Sequence, residues 1–99
     1  MPDEEVMETI RRQLPYLTTH FGVKRIGLFG SCVRGSLGRD SDVDILVEFE
    51  RPIGLKFMEF ADHLERVLDR KVDILTPAGL RSIRIKRIVQ EIEESVIYV

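Results

Sequence analysis

The sequence predicts an α/β (α+β) chain, a short mixed sheet of three to four strands flanked by helices, on three observations. Apolar residues recur at helical spacing at Val6, Ile10 and Leu14, at Phe57, Phe60, Leu64 and Leu68, and at Ile85, Ile88, Val89 and Ile92. Between these stretches lie short β-branched runs bounded by Gly, Pro or charged residues, the pattern of strands. The tetrapeptide Val-Asp-Ile-Leu occurs twice, at 43–46 and 72–75. It predicts two similar strand environments, not an internal repeat.

Taken in order, residues 3–20 read as a helix that Pro15 breaks or kinks, starting a second short piece. Gly22 closes it. Residues 24–29 read as a strand, and Gly30 then allows a tight turn at positive φ. Ser31 starts a short helix that Gly35 ends. The run from Asp42 to Val47 reads as a strand with at least one buried face. Pro52 and Gly54 mark a loop. Residues 55–68 form an amphipathic helix whose apolar stripe reads as core, not as a binding surface. Residues 71–75 form another strand. Pro77 and Gly79 turn the chain into a last helix, about 80–94, and residues 96–99 are strand-like. That tail could meet a partner, but a place in this chain's own sheet is the preferred reading. The order is α-β-α-β-α-β-α with a terminal strand, read as one domain over residues 1–99.

Composition narrows the function classes. Ninety-nine residues suffice for one modest core, and 43% hydrophobic with 32% charged content indicates a globular chain. No apolar stretch approaches the roughly 20 residues that span a bilayer. The N-terminus is acidic and unlike a secretory signal. The single cysteine, Cys32, excludes an internal disulfide and fits a reducing compartment. A cytoplasmic protein with no membrane part is therefore expected. No base is evident near Cys32, so it is not read as a nucleophile. His20 and His63 lack metal-site companions and read as ordinary surface or half-buried residues. The net charge of −2 argues against broad electrostatic binding of nucleic acid. Arg81, Arg84, Lys86 and Arg87 form a local basic cluster. It reads as a solvated helix face, with RNA, an acidic partner or a triphosphate as the alternatives.

The chemistry is carried by Gly30-Ser31 and, with ten residues between Ser31 and Asp42, by Asp42-Val43-Asp44. Side chains alternate along a strand, so Asp42 and Asp44 point the same way. Two carboxylates so close repel each other, and burying them uncompensated is costly. A hard cation such as Mg²⁺ removes the conflict, because it takes one or two carboxylates and fills its other positions with water and substrate phosphate. The alternative is a polar loop with turn or cap aspartates. The turn at Gly30-Ser31 adds backbone N–H groups at a helix start and one hydroxyl, an arrangement that favours phosphate. Asp73 is a lone carboxylate amid apolar strand residues and needs a partner: a metal, a reacting hydroxyl or a structural arginine.

Gly30-Ser31, the ten-residue interval, Asp42-Val43-Asp44 and the later Asp73 resemble the signature of the DNA polymerase β-type nucleotidyltransferase superfamily. The length and the stretches Gly27–Gly35 and Ser41–Val47 resemble its minimal nucleotidyltransferases, small proteins that are commonly the antitoxin partner of a HEPN-domain toxin. The resemblance runs from the first helix to Val99. It implies that Gly30 and Ser31 hold the terminal phosphates of ATP, and that Asp42 and Asp44 bind two Mg²⁺ ions. Asp73 would help position the metal that activates the acceptor hydroxyl and would take its proton. The implied reaction is a two-metal in-line displacement, with pyrophosphate leaving and a nucleoside monophosphate transferred. Arg34 would reach the phosphates or the acceptor, or else pair with an acid at the surface.

Such a small chain leaves almost nothing for gripping an acceptor, so the acceptor docks on an open face or is presented by a partner. By resemblance the acceptor is a tyrosine of a cognate HEPN toxin, and AMP the group transferred. The alternatives are a catalytically silent antitoxin that neutralises its partner by covering it, and transfer to a small molecule or RNA. A silent site has no reason to retain three mutually repelling carboxylates.

Overall fold

The computed structural model of the chain describes residues 4–30, 42–81 and 86–99. Helix α1 (Glu4–Phe21) opens with Glu4 and Glu5 in its first turn, where negative charge complements the helix dipole. Its apolar stripe is the expected one and extends further, since Val6, Ile10, Leu17 and Phe21 are all buried. Pro15 does not begin a second piece: the helix runs through it. Pro15 lies on the exposed side, while Ile10 and Leu17 anchor the turns before and after it in the core. Gly22 ends the helix with φ of +72°, its N–H donating to the Thr18 carbonyl at 3.0 Å.

Among the described residues the sheet has four strands, in the spatial order Val72–Leu75, Val43–Phe49, Val23–Phe29, Ile97–Tyr98. Strands β1 (Val23–Phe29) and β2 (Val43–Phe49) are antiparallel, from Val23 opposite Phe49 to Phe29 opposite Asp44. Helix α2 (Lys56–Leu68) returns the chain so that β3 (Val72–Leu75) lies parallel to β2. Asp69 closes α2 in the left-handed region at φ of 54°. After β3 come α3 (Pro77–Arg81) and α4 (Lys86–Ser95), then β4 (Ile97–Tyr98), which pairs antiparallel with β1. The C-terminal residues therefore join this chain's own sheet, and Val99 N–H donates to the Ile26 carbonyl at 2.9 Å.

Alternation along each strand decides what is core. Ile26, Leu28, Val43, Ile45 and Val47 turn to one face and pack under Ile10 and Leu17 of α1 and Phe60 and Leu64 of α2. Those nine side chains are less than 2% exposed or fully enclosed. Each contributes roughly 1.5–3 kcal/mol relative to an exposed position. The predicted stripe of α2 is core as expected, with Phe60 and Leu64 fully buried and Phe57 and Leu68 half-buried.

The last helical segment begins earlier than its spacing predicts. Pro77 and Gly79 lie inside α3, not ahead of it. Proline suits the first helical position, where its missing N–H costs nothing. Thr76 Oγ1 accepts the Gly79 N–H at 3.1 Å and caps that end. The second segment runs to Ser95. The short helix expected from Ser31 to Gly35 lies outside the described residues, as do Cys32 and Arg84.

Candidate active site

The two Val-Asp-Ile-Leu tetrapeptides are side by side. In the parallel ladder Val43 faces Val72, Asp44 faces Asp73, Ile45 faces Ile74 and Leu46 faces Leu75. Partners in register share a face. The twin sequences thus have one cause: each sends its Val and Ile to the helix-covered core and its Asp and Leu to the other side. Asp44 and Asp73 become lateral neighbours on that second face. Asp42 stands two residues earlier, at the entrance of β2, and is exposed.

Gly30 completes this end of the sheet. It follows β1, whose last residue, Phe29, is the register partner of Asp44. Its φ is +69°, the left-handed conformation expected of the turn. A second reason for glycine is visible only in three dimensions. A Cβ at position 30 would run into the Asp44 carboxylate, against Oδ2. The bare backbone at Gly30 therefore lets the chain pass directly over the Asp44 carboxylate. Asp44 is half-buried there, while Asp73 is exposed at the outer strand.

Of the residues expected to form the site, Gly30, Asp42, Asp44 and Asp73 lie at this one end of the sheet. Ser31 and Arg34 lie outside the described residues. Among the described residues no three carboxylate, imidazole or thiol side chains converge into a ready-made cation cage. That donor set still suits Mg²⁺, which takes one or two carboxylates and leaves several positions to water and substrate phosphate. His20 is exposed and His63 half-buried, as expected. His63 Nε2 lies 2.8 Å from Gln13 Oε1, a contact that ties α2 to α1. Lys86 and Arg87 of the basic cluster are exposed on α4, consistent with a solvated face.

One supporting residue escapes any reading of motifs. Glu65 Oε2 accepts the Val72 N–H at 3.1 Å and pins the start of β3 next to Asp73. Its partner lies seven residues on, beyond the helix end, and no short pattern marks such a contact.

Among the described residues no helix is long and apolar enough to cross a membrane. Comparison with known proteins agrees with the geometry. A family model described as a nucleotidyltransferase domain matches residues 10–99. The protein adenylyltransferase MntA of Thermococcus cleftensis is 42% identical over 90 residues, covering 90% of this chain and 91% of that protein. A solved minimal nucleotidyltransferase superposes with a TM-score of 0.73 at 30% identity, over 98% of this chain and 95% of the other. A toxin–antitoxin structure with AMP-PNP superposes with a TM-score of 0.62 at 25% identity, over 99% of this chain and 72% of that one. An aspartate-bearing strand pair closed by a glycine turn, on a chain matched along nearly its whole length, has one reading: this protein belongs to the nucleotidyltransferase domain family.

Proposed function

We propose that this protein transfers AMP from ATP to a tyrosine hydroxyl of a cognate HEPN-domain toxin and thereby acts as its antitoxin in the cytoplasm. The observation that carries the reading is the register pairing of Asp44 with Asp73 beneath the Gly30 turn. It supports a site in which phosphate, metal and acceptor meet at one end of the sheet. The similarity to a protein adenylyltransferase favours a protein acceptor and AMP. The similarity to a toxin–antitoxin structure holding an ATP analogue favours a toxin as that acceptor.

In this reading Gly30 and Ser31 hold the β- and γ-phosphates. Asp42 and Asp44 hold two Mg²⁺ ions, which would neutralise the charge developing on the α-phosphate. Asp73, on the outer strand, orients the acceptor and receives its proton. The acceptor Oη forms a bond to the α-phosphorus, the bond from that phosphorus to the bridging oxygen breaks, and pyrophosphate leaves. Arg34 follows the turn and pairs with the phosphates. Catalysis then rests on positioning and charge neutralisation by residues fixed on strands.

The test is label transfer from α-phosphate-labelled ATP with Mg²⁺, into source lysate and a co-expressed partner, comparing wild type with Asp42→Asn. The expected result is a labelled protein band that disappears in Asp42→Asn. An Asp42→Asn/Asp44→Asn chain that still binds and neutralises its partner would replace this reading with a binding-only antitoxin.

A further inference from the structure

We infer that Glu65 is a positioning residue for the transfer reaction: its carboxylate binds the backbone of β3 and thereby holds Asp73 beside Asp44. The inference rests on the proposed role of Asp73 at the acceptor hydroxyl and names the side chain that keeps Asp73 in place.

Asp73 is exposed, so its place comes from the backbone that carries it and not from burial of its side chain. That backbone has few holds. Strand β3 has four residues, and among the described residues it is the last strand on its side of the sheet. In a parallel pair, backbone groups turn toward the partner strand at every second residue. Val43 N–H donates to the Lys71 carbonyl at 2.9 Å, so residues 71, 73 and 75 face β2. Val72 turns its N–H away from β2. That N–H takes no part in the ladder with β2 and goes to Glu65 Oε2 at 3.1 Å.

Glu65 has a firm base from which to hold this strand. It stands in the last turn of α2, next to Leu64, which is fully buried and fixes that turn in the core. Its main-chain carbonyl accepts the Asp69 N–H and, at 3.3 Å, the Arg70 N–H. Its carboxylate reaches past the turn to Val72. One residue thus secures both ends of the connection from helix to strand. A hydrogen bond to a carboxylate is stronger than one between neutral groups. Asp73 follows directly after two fixed points, Lys71 bonded to Val43 and Val72 bonded to Glu65. Asp44 is held independently. Its strand pairs with β1 along its length, and Val43 and Ile45 on either side of it are fully buried. Loss of the Glu65 carboxylate therefore loosens Asp73 and spares the phosphate and metal end of the site. A misplacement of about 1 Å costs on the order of a hundredfold in rate where catalysis rests on positioning. Glu65 acts through Asp73 and not on the reacting atoms.

The test compares Glu65→Ala and Glu65→Gln with wild type in label transfer from α-phosphate-labelled ATP with Mg²⁺ into the co-expressed partner. Each chain is assayed where a urea titration shows it folded. In Glu65→Ala, kcat should fall by about tenfold or more, while the KM for ATP stays within about twofold of wild type. Glu65→Gln keeps a side-chain carbonyl that accepts the Val72 N–H and should recover most of kcat. In an Asp73→Asn background, Glu65→Ala should cost no further kcat, because residues that act through one another are not additive. Where Glu65→Ala fails to fold, Glu65→Asp, which keeps the charge but shortens the reach, gives the same comparison. A Glu65→Ala chain that is less stable yet has the kcat of wild type would overturn the inference and leave the enzymatic reading intact. Equal losses in Glu65→Ala and Glu65→Gln, or a full additional loss in the Asp73→Asn background, would do the same. A wild-type chain that labels no protein would overturn the enzymatic reading and this inference with it.

Discussion

Gly30 meets two independent demands at one position. Its φ of +69° lies where an L-residue is strained, and its missing side chain is where the Asp44 carboxylate sits. Relief of the first by a tolerant residue such as asparagine leaves the second in place. Gly30→Ala should therefore displace Asp44 as well as cost about 1–2 kcal/mol in backbone strain. Label transfer should fall by more than that stability loss explains, measured under conditions where a urea titration shows the variant folded. Gly22→Ala is the control. It carries the same kind of strain at φ of +72°, but its Cβ would meet nothing within 4 Å. It should lose a similar amount of stability and retain transfer.

At the scale of elements, α1 and α2 clamp one face of the sheet, and the clamp has an apolar and a polar part. Phe60 is the largest enclosed side chain and packs edge-on against Phe21 of α1 at 5.3 Å and Phe49 of β2 at 5.2 Å. Phe60→Ala should cost about 3–5 kcal/mol in chemical denaturation, because three elements meet on that ring and none can close the hole alone. The polar part is His63 against Gln13. Burial holds the His63 pKa below its ordinary value, and the Arg66 and His20 charges push it the same way. The unfolded chain therefore takes up a proton more readily than the folded one. Stability contributed by neutral His63 is present above about pH 6.5 and is lost as pH falls below that value through the lower folded-state pKa. Wild type should show a steeper loss of unfolding free energy between about pH 7 and 5 than His63→Gln, measured by urea titration at each pH.

At the scale of the whole molecule, α1 and α2 secure one face of the sheet, while one end of the sheet gathers the aspartates. The core-forming side chains and the aspartates thus occupy opposite sides of the same strands. Val43 and Ile45 are fully buried on one side, while Asp44 between them faces the other. Ligand binding at that end should stabilise the whole chain by mass action. AMP-PNP with Mg²⁺ at a hundredfold excess over its Kd should add about 2.7 kcal/mol, a rise in Tm on the order of 10 °C for a chain of this size. Chelation of the metal, or Asp44→Asn, should remove that rise. Thermal scans by circular dichroism would measure all three.

The sequence by itself determined the two long helices, the strands and the spacing of the aspartates, because these are written in local periodicity and in residue chemistry. The stripe Phe57-Phe60-Leu64-Leu68 has the spacing of a core-facing helix, and Asp42, Asp44 and Asp73 stand out as carboxylates beside or within apolar strand runs. Pro15 misled locally. A helix tolerates it when the buried residues on either side hold the turn together, and that support comes from tertiary packing. Pro77 and Gly79 misled in the same way, because Thr76 caps a helix at that point. Only the tertiary structure decided that the twin tetrapeptides are lateral neighbours, that Gly30 lies against Asp44, and that Glu65 pins β3. Each of these is a contact between residues distant in sequence or beyond a turn. Strand register is set by the burial of whole faces and not by any residue's neighbours along the chain.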